Sequence, residues 1–248
     1  MDKPKIYFYQ PSGTCAGRTT EYFECVEIQE LMRQWSLAFS VTNLNPMRSY
    51  IQRGAVYEIH GQKFDHKRFT RNSGSKNTTS VTMAYHVCRR LDNYTIPAGY
   101  AFVGTAQEII SDIFDQAVDA NGVKASTQFS VGTCSGVSGS YSPGNTQPIS
   151  AYTAIQGLVS LGVEPQFDNF TVNAPVRWGA DRGMTFKFGR NLADLDFEDD
   201  ADQNTTTYSL DAARRQYALD ATPRDYAECG DTVRIKTICL ARISARNV

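Results

Sequence analysis

Two short alternating runs, Ala55-Val56-Tyr57-Glu58-Ile59 and Gln62-Lys63-Phe64, meet at His60-Gly61-Gln62, and this spacing constrains the fold more than any other feature of the sequence. A strand sends successive side chains to opposite faces, so alternation on both sides of a compact glycine turn predicts a β-hairpin within Ile51 to Phe64. Upstream, Val26, Ile28, Leu31, Trp35, Leu37 and Phe39 are spaced as two strands with a turn around Met32 to Gln34, and Asn43 to Pro46 breaks the chain before the hairpin. Ile6-Tyr7-Phe8-Tyr9 adds an opening strand of aromatic and β-branched residues. Downstream, the polar stretch Arg71 to Asn77 leads into Ser80 to His86. Residues 1–80 are therefore expected to be strand-dominated.

From about residue 81 the pattern turns mixed, with a helix entry expected from Val81 to Leu91. Thr105 precedes Ile109, Ile110, Ile113 and Phe114, with Glu108 three residues on. That spacing predicts a helix opened by a capping box. A second helix is predicted from Ser150 to Leu161, with Tyr152, Ile155, Leu158 and Val159 as its apolar stripe and Gly162 as its stop. Val131 to Pro148, rich in Gly, Ser and Pro, is expected to be a long loop or an irregular hairpin. A hairpin around Asp168-Asn169, a strand at Thr185 to Phe188, a short helical or irregular piece at Asp211 to Leu219 and one bent strand or a strand pair at Asp231 to Ile243 complete the sequence pattern. The alternation slips at Ile238, as at a bulge.

With 248 residues, 41% of them hydrophobic and 21% charged, the chain can bury a substantial core. A net charge of -1 gives no overall electrostatic footprint for nucleic acid. No apolar run is long enough to span a bilayer or to form a secretory core, so synthesis in a cytoplasm is expected, with no membrane segment. The cysteines at 15, 25, 88, 134, 229 and 239 make no C-x-x-C pair; Cys25, Cys88 and Cys239 are expected to be reduced, buried thiols.

The chemistry-bearing residues are sparse. His60, His66 and His86 are the only histidines and lack the i, i+4 spacing of a helical zinc motif, and no Gly-x-Ser-x-Gly elbow is present. No catalytic residue, metal or cofactor is expected. The run Asp194 to Asp202 carries six carboxylates, Asp194, Asp196, Glu198, Asp199, Asp200 and Asp202, in an order unlike an EF-hand loop. Lys63 to Arg71 alternates basic and bulky residues, which suits either a charge-protected edge strand or subunit contact, or a single-stranded nucleic acid surface.

Several of these segments, in this order, resemble the phage tail hub proteins, also called prophage tail or tail-associated proteins. They are Val26-Glu27-Ile28-Gln29-Glu30 with Ser36-Leu37-Ala38-Phe39, the Ile51/Gly54/Val56 hairpin with Gly61-Gln62-Lys63-Phe64, and Ala84-Tyr85-His86-Val87 to Leu91. Farther on come Trp178-Gly179-Ala180-Asp181-Arg182-Gly183-Met184, Phe188-Gly189-Arg190-Asn191-Leu192 and Cys229-Gly230-Asp231-Thr232-Val233. The resemblance implies a mostly β, α+β protein: two tube-like β-barrel domains at 1–80 and 173–248, with a mixed α/β lateral region inserted at 81–172.

The resemblance also implies a non-enzymatic virion protein, a homotrimer at the distal end of a tail tube. Its neighbours would be a distal tail or tube protein hexamer above, a fibre, spike or tip protein below, and the tape measure protein. DNA would pass through its channel without specific binding, and the six acidic residues of 194–202 would line that channel and repel phosphates. The alternative is a carbohydrate-binding or hydrolytic module of the tail tip, which calls for an exposed aromatic cluster; Trp35 and Trp178 fall instead where strand cores are expected.

Overall fold

The computed structural model of the protein describes residues 3–29, 35–72 and 77–177, and after these the backbone of four strands at 181–187, 196–200, 205–209 and 232–236. Residues 1–177 and 178–248 form two compact units.

The first unit opens with seven strands: β1 (Ile6–Tyr9), β2 (Cys15–Thr19), β3 (Phe23–Gln29), β4 (Trp35–Thr42), β5 (Val56–Ile59), β6 (Gln62–Asn72) and β7 (Thr78–His86). They form one antiparallel sheet in the order β2-β1-β5-β6-β7-β4-β3. The expected hairpin is β5–β6, in which Val56 faces Asp65 and Ile59 faces Gln62. Its two turn residues, His60 and Gly61, both take the left-handed conformation, with φ of 51° and 78°. A two-residue turn of that kind matches the right-handed twist of the flanking strands. Between β4 and β5, Asn45 caps a 3-10 turn at Pro46–Tyr50 by accepting from the Met47 N–H.

Strands β2 and β3 stand at opposite ends of the sheet, yet only Thr20, Glu21 and Tyr22 separate them in the chain. Six inter-strand gaps would hold them about 29 Å apart in a flat sheet. Four Cα steps span at most about 14 Å. The sheet must therefore roll. Inside the roll, Phe8 of β1, Phe39 of β4 and Tyr57 of β5 meet edge to face at centroid distances of 5.8, 5.5 and 5.1 Å. Ile6, Leu37, Val41, Ile59, Phe64 and Val81 complete the core around them. Across the mouth, the Tyr22 hydroxyl donates to the Pro4 carbonyl and the Asn45 amide to the Glu21 carbonyl. No ladder joins β2 to β3 among the described residues, so the first unit presents a rolled sheet that hydrogen bonds do not close into a barrel.

The sheet runs on through β7 to His86, and Val87–Asn93 is a 3-10 segment. The expected helix entry from Val81 is thus corrected. Cross-strand pairing of Val81 with Phe39 and Phe69 overrides the local pattern. A second core follows, built from β8 (Thr95–Ile96), β9 (Phe102–Thr105), α1 (Ala106–Gln116), β10 (Ser130–Cys134), β11 (Ser138–Tyr141), β12 (Ile149–Ser150), α2 (Ala151–Gln156), β13 (Gln166–Asp168) and β14 (Thr171–Ala174). The two cores divide between Ala84 and Cys88.

Helix α1 carries the expected capping box. The Thr105 hydroxyl accepts from the Glu108 N–H, the Glu108 carboxylate accepts from the Thr105 N–H, and Ile109, Ile110, Ile113 and Phe114 are buried. Helix α2 is shorter than expected: Ser150 caps it, but past Gln156 the backbone tightens to 3-10 geometry through Leu161. Gly157 stands at the change, where the Tyr141 hydroxyl, donating to the Ala154 carbonyl, fills the space of a Cβ. Val159, expected in the buried stripe, is 49% exposed. The Gly/Ser/Pro-rich stretch holds two strands that do not pair with each other, since β10 runs parallel to β14 and β11 antiparallel to β9. The hairpin β13–β14 turns at Asn169 as expected.

In the second unit, β15 (Asp181–Lys187) runs parallel to β18 (Thr232–Lys236), and β16 (Asp196–Asp200) pairs antiparallel with β17 (Thr205–Ser209). The strand expected at Thr185 lies within β15, and the strand expected from Asp231 begins in β18. The slip at Ile238 and the segment Asp211 to Leu219 lie outside the described residues.

Candidate functional site

The three histidines sit in three separate structural settings. His60, in the β5–β6 turn, bonds Glu27 of β3 through Nδ1 at 3.2 Å, and that contact raises its pKa. His66 Nδ1 shares a hydrogen bond of 2.8 Å with the Tyr57 hydroxyl, and burial lowers its pKa. His86 is fully buried; its Nδ1 accepts from the Cys88 N–H, so its proton is on Nε2, which donates to Gln62 Oε1 at 3.0 Å. Burial holds its pKa at about 3, leaving a neutral ring stacked on Trp35 at 3.9 Å. The Trp35 indole N–H donates to Glu27 at 2.8 Å. Each of the three rings thus has a hydrogen-bond partner within the fold, and Trp35 packs against His86 and Phe64 instead of forming an exposed aromatic platform.

Gln62 begins a clasp between the two cores. The β5–β6 turn and the β13–β14 turn meet through four hydrogen bonds: Gln62 Nε2 to Asp168, the Lys63 N–H to Asn169 Oδ1, the Asn169 N–H to Gln62 Oε1, and Asn169 Nδ2 to the Gly61 carbonyl. Beside it, Arg90 grips Asp65 with two bonds of 2.8 and 2.7 Å and lies over the Phe170 ring. Sequence reasoning missed all of these contacts. The one available signal was the asparagine at a turn, a residue type that tolerates φ of 52°.

The basic strand meets the edge-strand expectation in its second half only. β6 pairs with β5 only as far as Asp65, apart from one bond from the His66 N–H to the Ala55 carbonyl; from Lys67 to Asn72 it follows β7 alone. The strand is interior in its first half and an open edge in its second. Lys67, Arg68, Phe69, Thr70 and Arg71 are exposed there, and the Arg71 guanidinium lies 5.4 Å from the Phe69 ring centre. At the far end of the sheet, β3 is also an edge, with Phe23, Val26 and Ile28 exposed.

Of the acidic run, Asp196, Glu198, Asp199 and Asp200 lie on β16, while Asp194 and Asp202 lie outside the described residues. Of the thiols, Cys15 is exposed, whereas burial raises the pKa of Cys25 to about 11 and that of Cys88 to about 12. Cys229 and Cys239 lie outside the described residues. Among the described residues no group of three or more metal-ligating side chains converges, and no helix is long and apolar enough to cross a membrane.

No family model and no curated protein matches the chain. Solved structures do. The chain is similar to the prophage tail protein gp18 from Listeria monocytogenes EGD-e, with a TM-score of 0.59 at 13% identity, over 94% of this chain and 72% of that one. It also matches the tail protein from Neisseria meningitidis MC58, with a TM-score of 0.49 at 13% identity, over 98% of this chain and 74% of that one. The 43 kDa tail protein of prophage MuSo2 from Shewanella oneidensis gives 0.47 at 10% identity, over 94% and 73%. At 13% identity the first of these likenesses is one of architecture: this chain has the fold of a prophage tail protein.

Proposed function

We propose that this chain is a structural protein of a phage tail, a trimeric hub at the distal end of the tail tube. The observation that carries this reading is the likeness to the Listeria prophage tail protein over 94% of the chain, which spans both compact units. The rolled seven-stranded sheet of the first unit supports it, because a curved sheet with a filled interior is the form a tube-like domain needs. In the proposed assembly each copy contributes two such domains, so that three copies make a ring of six. That ring matches a hexameric tube or distal tail protein on one side and a three-fold tip on the other, and leaves a passage for DNA. The settled hydrogen-bond partners of the three histidines favour this structural role over a hydrolytic one.

Electron microscopy of the purified protein, alone and mixed with the tube or distal tail protein of the same particle, tests the proposal. Three-fold rings around a channel of about 20 Å, wide enough for a B-form duplex with grooves of ordinary dimensions, are the expected result. Monomers that ignore both partners would overturn it.

A further inference from the structure

The net charge of -1 conceals two oppositely charged strand segments. Lys67, Arg68 and Arg71 crowd one end of β6, and Asp196, Glu198, Asp199 and Asp200 crowd β16. The basic segment lies on the half of β6 that has no strand on its outer side among the described residues. The nearest carboxylate on the strand, Asp65, is committed to Arg90. The three cations are exposed. Strand β16, for its part, is paired only with β17 among the described residues.

We propose that the open half of β6, Lys67–Arg71, is a docking edge for the acidic strand β16 of a second copy of this chain. An edge carrying lysine and arginine repels like-charged strands and disfavours neutral ones, which is how natural sheets avoid random pairing. Toward a strand with four carboxylates in five residues the same charges attract, so one set of side chains both excludes wrong partners and selects the right one. The lengths agree, since β16 covers five residues and Lys67–Arg71 is a run of five on the side away from β7, its ladder to β7 being irregular between His66 and Phe69 and regular from Phe69 on. The contact joins two different surfaces and is therefore heterologous, the kind that generates a closed ring when its rotation closes. It gives the acidic run a subunit contact in place of a channel wall, and it rests on the ring proposed above.

The test uses the full chain and reads assembly by mass photometry and sedimentation, with thermal unfolding as a check of the fold. The combined variant Lys67→Glu, Arg68→Glu, Arg71→Glu should weaken ring formation by tenfold or more, roughly the loss expected for about 1.4 kcal/mol of interface energy. Adding Asp196→Lys, Glu198→Lys, Asp199→Lys and Asp200→Lys to the same chain should restore rings, because every reversed edge then meets a reversed strand. If the triple variant unfolds, Arg71→Glu serves the same comparison, alone and with Asp199→Lys in the same chain. Rings that tolerate the reversal of the edge would overturn this contact and leave the hub proposal standing. Loss of rings without rescue in the doubly reversed chain would overturn the acidic strand as the occupant. A wild-type chain that forms no ring with or without its tail partners would overturn the hub proposal and this contact together.

Discussion

Asn169 and Gln62, 107 residues apart in the chain, hold the two cores of the first unit together: the Asn169 N–H donates to Gln62 Oε1 at 3.2 Å, on the same oxygen that accepts from the buried His86 at 3.0 Å. One side-chain carbonyl thus ties the β5–β6 turn, the β13–β14 turn and the end of β7. Both turns use left-handed residues, His60 and Asn169, and the backbone of each lies within reach of the other's side chains.

Asn169→Gly should lower the stability of the first unit by about 2 kcal/mol, since it removes both side-chain hydrogen bonds to the facing turn while keeping the turn conformation free of strain. Gln62→Ala should cost more, because it also strands the His86 N–H in the interior. Urea titration of both variants gives the comparison, and equal losses would show that the His86 bond contributes nothing.

Acid should weaken the fold through His86. Its pKa is about 3 in the folded protein against an ordinary 6.5, so the unfolded chain binds the extra proton throughout that interval. The His86 contribution should therefore be level above about pH 6.5 and be lost as pH drops toward 3. His60 works in the opposite sense: its pKa is raised by Glu27, so its contribution is present below its ordinary value and lost as pH climbs through the raised one. Denaturation midpoints measured across pH should flatten on the acid side in His86→Gln, and an unchanged acid slope would remove His86 as the cause.

Phe39→Ala should destabilise the rolled sheet by about 4 kcal/mol, the range for deleting a buried aromatic ring. Phe39 touches both Phe8 and Tyr57 from across the roll, so Phe8→Leu and Phe39→Leu should couple by about 1 kcal/mol in a double-mutant cycle. Additive losses would mean that β1 and β4 do not depend on each other through these rings.

Arg90→Lys should cost about 1 kcal/mol, because an ammonium cannot reproduce the paired bonds to Asp65 or lie flat on Phe170. Hydrogen exchange should quicken at the start of the 3-10 segment after His86 and along β6 near Asp65, with α1 unaffected. Faster exchange throughout the second core would point to a wider role for this arginine.

The features legible along the chain alone are local ones. The β5–β6 hairpin follows from alternation around His60-Gly61, and α1 from Thr105, Glu108 and an apolar stripe, because these signals concern bonds made within a few residues. The β13–β14 turn and the broken chain at Asn45-Pro46 were legible for the same reason. The tertiary structure decided the rest: that β10 lies beside β14 and β11 beside β9, that β7 continues as a strand through Val81, that three residues between β2 and β3 force the sheet to roll, and that β6 is covered in one half and open in the other. Those outcomes depend on which distant strand wins a given edge, and alternation carries no address for its partner. The candidate docking edge shows the division plainly, since the basic character of Lys67 to Arg71 is written in the chain while its exposure is set by where β5 ends.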